Sequence, residues 1–219
     1  MSADPYRAFL ESKIKRAPVS GFDVNPASLS SHLKPFNTAI VRCALQGGRR
    51  AIFTKFGLHK TRMQIEIMHQ IGIHAGGRQL IIAPLGVRQE FLRDAAVMGI
   101  SIRFVRSAAE VSETGIHLTK YKTVRDGKLE PNLFEAASLD EASVLRSFGS
   151  KTYQTFLTLF QNVRYRFVAT ATPSPNRFKE LIHYAGFLGV MDTGQALTRF
   201  FQRNAEKAGD LTLYPPQGR

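Results

Sequence analysis

The chain of 219 residues is 43% hydrophobic and 21% charged, enough for one substantial core with a small appendage and cramped for a second full domain. Thirty Lys and Arg against seventeen Asp and Glu leave a net charge of +13, which favours polyanionic partners, nucleic acid foremost, over metabolic chemistry on uncharged substrates. The single Cys43 excludes an internal disulfide and a cysteine zinc cage, and no apolar run reaches the about 18 residues needed to cross a bilayer. Met1 to Tyr6 lacks the basic-then-apolar pattern of a secretory signal, so a reducing, cytoplasmic setting is expected.

Residues 1–34 carry a basic stretch, Ser12 to Arg16, and then Pro18, Gly21, Pro26 and several Ser that interrupt any long element; they predict an extension packed on a domain. A helix is expected from Pro35 to Leu45, with Cys43 packed on it as a small apolar group. Six short runs, apolar almost throughout, then read as strands: 51–54, 79–83, 100–105, 116–119, 136–139 and 166–170. Helical spacing lies between them, at 61–71, 87–98, 151–160 and 177–188. Strands without alternation, separated by helices, predict a mostly parallel sheet covered on both faces, a three-layer α/β domain over 35–192. The segment 193–219 predicts one more helix, Thr193 to Asn204, followed by a linker ending in Pro215-Pro216.

In such a sheet a ligand sits beyond the carboxyl ends of the strands. Lys60-Thr61 follows a strand and the loop Gly57-Leu58-His59, where a P-loop places a lysine for the β- and γ-phosphates and a hydroxyl for Mg²⁺. The loop is altered: His59 stands directly before the lysine, where glycine lets backbone N–H groups close on phosphate oxygens, and Thr54 stands at the first glycine position. Lys-Thr alone is also what an ordinary exposed helix start shows. Asp140-Glu141, at the end of a later strand, supplies the paired carboxylates of Mg²⁺-dependent nucleotide hydrolysis, the first for the metal and the second for the attacking water. A helix N-terminus that favours acids is the plainer account of that pair. The six His show no zinc spacing.

Leu139-Asp140-Glu141-Ala142-Ser143 resembles the DEAD/DEAH-type motif II of superfamily 2 helicases, and Thr170-Ala171-Thr172-Pro173 resembles their motif III. Ala83-Pro84-Leu85 is similar to motif Ia, and Lys120-Tyr121 stands where a nucleic-acid-contacting segment commonly lies. Leu33 to Asn37 resembles the segment that reads adenine upstream of the P-loop. The run from Ser138 to Asp192, including Ser143 to Phe148 and Ala185 to Gly189, looks most like the Swi/Snf-like helicases of phage and bacterial mobile elements, some of them associated with a DNA methylase.

The resemblance implies an N-terminal RecA-like lobe that binds ATP and Mg²⁺ and hydrolyses ATP on DNA, more than RNA, only with a second RecA-like lobe that supplies an arginine finger. It implies Lys60 as phosphate contact, Thr61 and Asp140 as metal residues and Glu141 as water residue. Thr170 and Thr172 become the link between nucleotide state and strand contacts, and Phe36, Asn37, Gly57, Leu58 and His59 complete the nucleotide pocket. Arg88, Lys120, Tyr121, Lys122 and Arg125, with Arg93 and Lys128, form a basic track for a phosphodiester backbone. Lys55-Phe56 replaces an acidic residue and Thr, His59 replaces Gly, and Asn37 replaces Gln, one methylene short for a bidentate adenine contact. These departures cluster in the nucleotide pocket. A basic DNA-binding or partner-docking module that has lost nucleotide is therefore the alternative expectation, and a P-loop kinase a weaker one.

Overall fold

Because both sheet faces are covered, the four inner strands bury almost every side chain, and all six expected strands form. The computed structural model describes residues 19–145, 151–174, 178, 180–203 and 211–213. Six strands, β1 (Arg49–Phe53), β2 (Arg78–Ala83), β3 (Ile102–Phe104), β4 (Gly115–Lys120), β5 (Ala136–Asp140) and β6 (Tyr165–Thr170), pair in the order β1-β6-β5-β2-β4-β3. Every pairing in this sheet is parallel.

Successive strand residues face opposite layers. Ile81, Ala83, Ile52, Phe167 and Ala169 pack against α1 (Pro35–Gly47), α2 (Lys60–Ala75) and α3 (Arg88–Val97). Leu80, Ile82, Ala137, Leu139 and Val168 pack against α5 (Lys151–Leu159) and α6 (Glu180–Leu188), through Tyr153, Phe156, Phe160, Tyr184 and Phe187. The result is the three-layer α/β sandwich with a RecA-like arrangement. Between β4 and β5, α4 (Tyr121–Arg125) adds a short helix where the sequence pattern shows none.

Two details depart from expectation. The helix past Asp192, α7 (Thr193–Phe200), stops before Asn204, because Phe201 enters an antiparallel pair formed by β7 (Phe201–Arg203) and β8 (Leu211–Leu213). The Asp192 carboxylate caps α7 by accepting from the N–H groups of Gly194 and Gln195. Cys43 is exposed and does not pack into the core. Of the amino-terminal stretch, Ser20 to Phe22 hydrogen-bonds to the carbonyls that end α1, and Phe22 stacks on His74 with ring centroids 3.7 Å apart. Residues 1–18, 146–150 and 214–219, including Arg146 to Phe148 of the Swi/Snf-like run and Pro215-Pro216, lie outside the described residues, as do Arg177 and Asn204. Among the described residues no helix is long and apolar enough to cross a membrane.

Candidate functional site

The carboxyl ends of β1, β2 and β5 open into one cleft of about 520 Å³, lined on one wall by Phe56, Gly57, His59, Lys60 and Thr61 and on the other by Asp140 and Glu141. The first wall is the loop that leaves β1 and starts α2. Its backbone turns through Gly57 at φ 77 and His59 at φ 56, ψ 41. His59 thus holds the left-handed conformation that glycine adopts without strain and that costs an L-residue about 1–2 kcal/mol. No side chain caps α2, so its first-turn N–H groups are left for an anion. The Lys60 ammonium folds back on the loop, 3.4 Å from the Thr54 carbonyl and 5.0 Å from the centre of the Phe56 ring. Phe56 is 75% exposed and Phe36 40%.

Asn37 does not lie open to a base. It is fully buried; its amide donates to the Leu58 carbonyl at 3.0 Å and its side-chain oxygen accepts from the Lys34 N–H at 3.3 Å. The side chain that resembles an adenine reader therefore clips the phosphate-type loop to the start of α1.

The second wall is made by the turn after β5. Asp140 is 8% exposed and accepts from Gln64 Nε2 at 2.8 Å, while Gln64 Oε1 accepts from Ser138 Oγ at 2.7 Å. Burial raises the Asp140 carboxyl to about 6, the Gln64 hydrogen bond opposes the rise, and the Glu141 charge adds to it. Glu141 follows at φ 48, the second left-handed non-glycine residue among those described, and both such residues line the same cleft. Thr170, at the end of β6, donates to Glu141 Oε1 at 3.0 Å, and its hydroxyl accepts the Thr172 N–H at 3.1 Å. The structure thus links Thr172, Thr170 and Glu141 in one chain of hydrogen bonds.

Two acidic residues that the sequence pattern did not single out complete the lining. Glu90 and Asp94 stand one turn apart on α3 and face α2. Glu90 accepts the Thr61 hydroxyl at 2.8 Å, and Asp94 pairs with Arg62 at 3.3 Å. Their i, i+4 spacing after Pro84 was the available signal. Gln64 stands one turn beyond Lys60, but the buried positions of the same helix also include Glu66 and Gln70, so the sequence offers no signal that singles it out.

The oxygen donors Thr61, Asp140 and Glu90 suit a hard divalent cation. Such a donor set fits Mg²⁺, which binds through one or two carboxylates together with substrate phosphates. Among the described residues no three His, Cys, Asp or Glu are gathered into a ready cage.

The expected basic track divides. Lys122, Arg125 and Lys128 are exposed on or just after α4, Arg93 is exposed on α3, and Lys120 is half-buried at the end of β4. Arg88 lays its guanidinium over the Phe104 ring at 4.1 Å. Tyr121 turns inward: its hydroxyl donates to the Asp140 carbonyl at 2.7 Å and its ring stacks on Phe156 with centroids 5.9 Å apart. Burial, then the Asp140 and Glu141 charges, raises the Tyr121 phenol well above its ordinary value.

Solved structures share this architecture. The SWI2/SNF2 ATPase core of Sulfolobus solfataricus in complex with dsDNA superposes with a TM-score of 0.66 at 19% identity, over 81% of this chain and 40% of that one. The chain shares the fold of that ATPase core. The SWI2/SNF2 ATPase core domain of the same organism gives 0.66 at 17% identity over 84% of this chain and 42% of that one, and the UvsW helicase of bacteriophage T4 gives 0.57 at 14% identity over 87% and 67%. The chain thus spans about two fifths of the length of the SWI2/SNF2 cores it matches. No protein-family model matches it, and no curated protein sequence does.

Proposed function

We propose that the chain is the ATP-binding N-terminal lobe of a superfamily 2 DNA translocase or helicase, of the Swi/Snf-like type found in phage and bacterial mobile elements. The observation that carries this reading is the convergence of Lys60-Thr61 and Asp140-Glu141 on one cleft, with Thr170 bonded to Glu141. In this assignment the lobe spans 35–192, with 1–34 as its extension and 193–219 leading toward a second lobe in cis or trans. The site is cytoplasmic, and a DNA methylase is a candidate associate.

The Lys60 ammonium and the first-turn amides of α2 take the charge of the β- and γ-phosphates. Thr61 and Asp140 hold Mg²⁺, which when bound neutralises charge on the phosphate oxygens. The Thr61 hydroxyl donates to Glu90 and so keeps its oxygen lone pairs for the ion it would hold, and Asp140, with a carboxyl near 6, is ionised at neutral pH. Glu141 orients a water and takes its proton, while Thr170 fixes the carboxylate that does so. Lys120, Lys122 and Arg125 hold the strand phosphates at the same rim of the sheet, and Tyr121 ties that rim to the Asp140 backbone.

The test is nucleotide-dependent thermal stabilisation by ATP and Mg²⁺ in the wild type and in His59→Gly. A shift in both supports the motor lobe. No shift in either removes the nucleotide site. A shift confined to His59→Gly supports the second reading, a basic nucleic-acid-docking module with an impaired pocket. That reading is favoured by His59, a non-glycine residue in left-handed conformation directly before Lys60.

A further inference from the structure

The amino-terminal end of the sheet, opposite the cleft, holds a charge arrangement that packing leaves unexplained. Arg49 of β1 and Arg166 of β6 are register partners on adjacent strands, where like charges destabilise the pairing. Both guanidinium groups turn to one place: the position a Cβ would take on Gly189 lies 2.7 Å from Arg166 Nη2 and 3.0 Å from Arg49 Nη1. Gly189 is itself exposed, at φ 66. A side chain there would push the guanidinium groups apart.

Arg166 is 5% exposed. Its Nη1 donates to the Phe187 carbonyl near the end of α6 at 2.7 Å, but its Nε is buried with no acceptor. Arg49 donates from Nε to the Arg164 carbonyl at 3.0 Å. Neither guanidinium has a carboxylate within ion-pair distance among the described residues. Burial lowers Arg166 to about 10, with the Arg49 charge adding to the effect, and burial lowers Arg49 as well.

The Phe187 and Arg164 carbonyls take one donor of each guanidinium, and the centre of the Phe187 ring lies 6.0 Å from the Arg166 guanidinium. These contacts do not cancel the charge of two cations whose Nη groups meet at one glycine. A tetrahedral oxyanion does, since it accepts from two guanidinium groups at once and offsets their repulsion. The geometry points to an oxyanion site formed by Arg49 and Arg166 against Gly189, taking a phosphate group, free or carried by nucleic acid. It is separate from the proposed nucleotide cleft and does not depend on it.

The test titrates inorganic phosphate against sodium chloride of equal ionic strength and follows the melting midpoint. It compares Lys60→Ala, which removes the phosphate contact proposed for the cleft, with Lys60→Ala/Arg49→Gln. Arg49 is half-buried, and glutamine keeps a donor for the Arg164 carbonyl, so the double variant retains its packing. At a hundred times the dissociation constant the midpoint of Lys60→Ala should rise by about 5–10 °C, and the rise should vanish in the double variant. No rise, or an equal rise in both proteins, overturns the site. A 5′-phosphorylated single-stranded oligonucleotide that protects Lys60→Ala at lower concentration than phosphate, and fails on the double variant, identifies nucleic acid as the source. Protection by phosphate alone identifies the free anion.

Discussion

The Thr170 hydroxyl donates a 3.0 Å hydrogen bond to the Glu141 carboxylate, joining the ends of two neighbouring strands along one wall of the cleft. Thr170 is fully buried and Glu141 half-buried, so the bond is shielded from water on one side and open to a ligand on the other. Glu141→Gln preserves the acceptor oxygen and removes the base. Thermal stabilisation by ATP and Mg²⁺ should persist in this variant while any hydrolysis supported by a second lobe is lost; undiminished hydrolysis would exclude Glu141 as the residue that activates water.

His59 is expected to cost the fold more than it contributes. Releasing about 1–2 kcal/mol of left-handed strain, less up to about 1 kcal/mol of added unfolded-chain entropy, should raise the melting midpoint of His59→Gly by about 1–3 °C without nucleotide. A lower midpoint than wild type would mean that the imidazole holds the loop.

Asp140 makes stability depend on pH in an unusual direction. Its carboxyl is raised to about 6 in the folded state, above the roughly 3.9 of an unfolded chain. Between those values the folded protein holds a proton that the unfolded chain has released, so stability falls as pH rises from about 4 to about 6 and then levels. The contribution is about 2–3 kcal/mol. Asp140→Asn, which keeps an acceptor for Gln64, should flatten this step and raise the midpoint at pH 8; an unchanged profile would show that Asp140 is not its source.

Tyr121 and Lys122 are neighbours in sequence with different tasks. Tyr121→Phe loses the hydrogen bond to the Asp140 carbonyl and should cost about 1 kcal/mol of stability while leaving nucleic-acid affinity at matched salt nearly unchanged. Lys122→Gln should leave the melt unchanged but weaken binding and reduce the slope of log affinity against log salt by about 1. Fluorescence anisotropy across a salt series separates the two, and a flat salt response in the wild type would remove the basic track altogether.

The fold was legible because a sheet covered on both faces needs near-continuous apolar strands, and runs such as Leu80-Ile81-Ile82-Ala83 can serve no other layer. The strand-end positions of Lys60-Thr61, Asp140-Glu141 and Thr170 to Thr172 were legible because these residues follow such strands. What escaped was the direction of individual polar side chains. Asn37 reads the same whether its amide faces a ligand or the Leu58 carbonyl, and Tyr121 the same whether its ring faces a nucleic acid or Phe156. Glu90 reaches Thr61 only through the packing of two helices, which no local pattern encodes. Beyond Asp192 the apolar pair Phe200-Phe201 continues a helical pattern, although Phe201 begins a strand.

The placement of β1 at the border of the sheet bears on how the chain is made. Its neighbour is β6, and the Arg49 side chain meets a carbonyl 115 residues downstream. During synthesis β1 is thus left without its pairing partner until β6 has emerged, with Ile52 and the apolar face of α2 uncovered meanwhile. Folding is expected to be slow and dependent on late-arriving sequence, and truncations that remove β6 should yield insoluble rather than partly active protein.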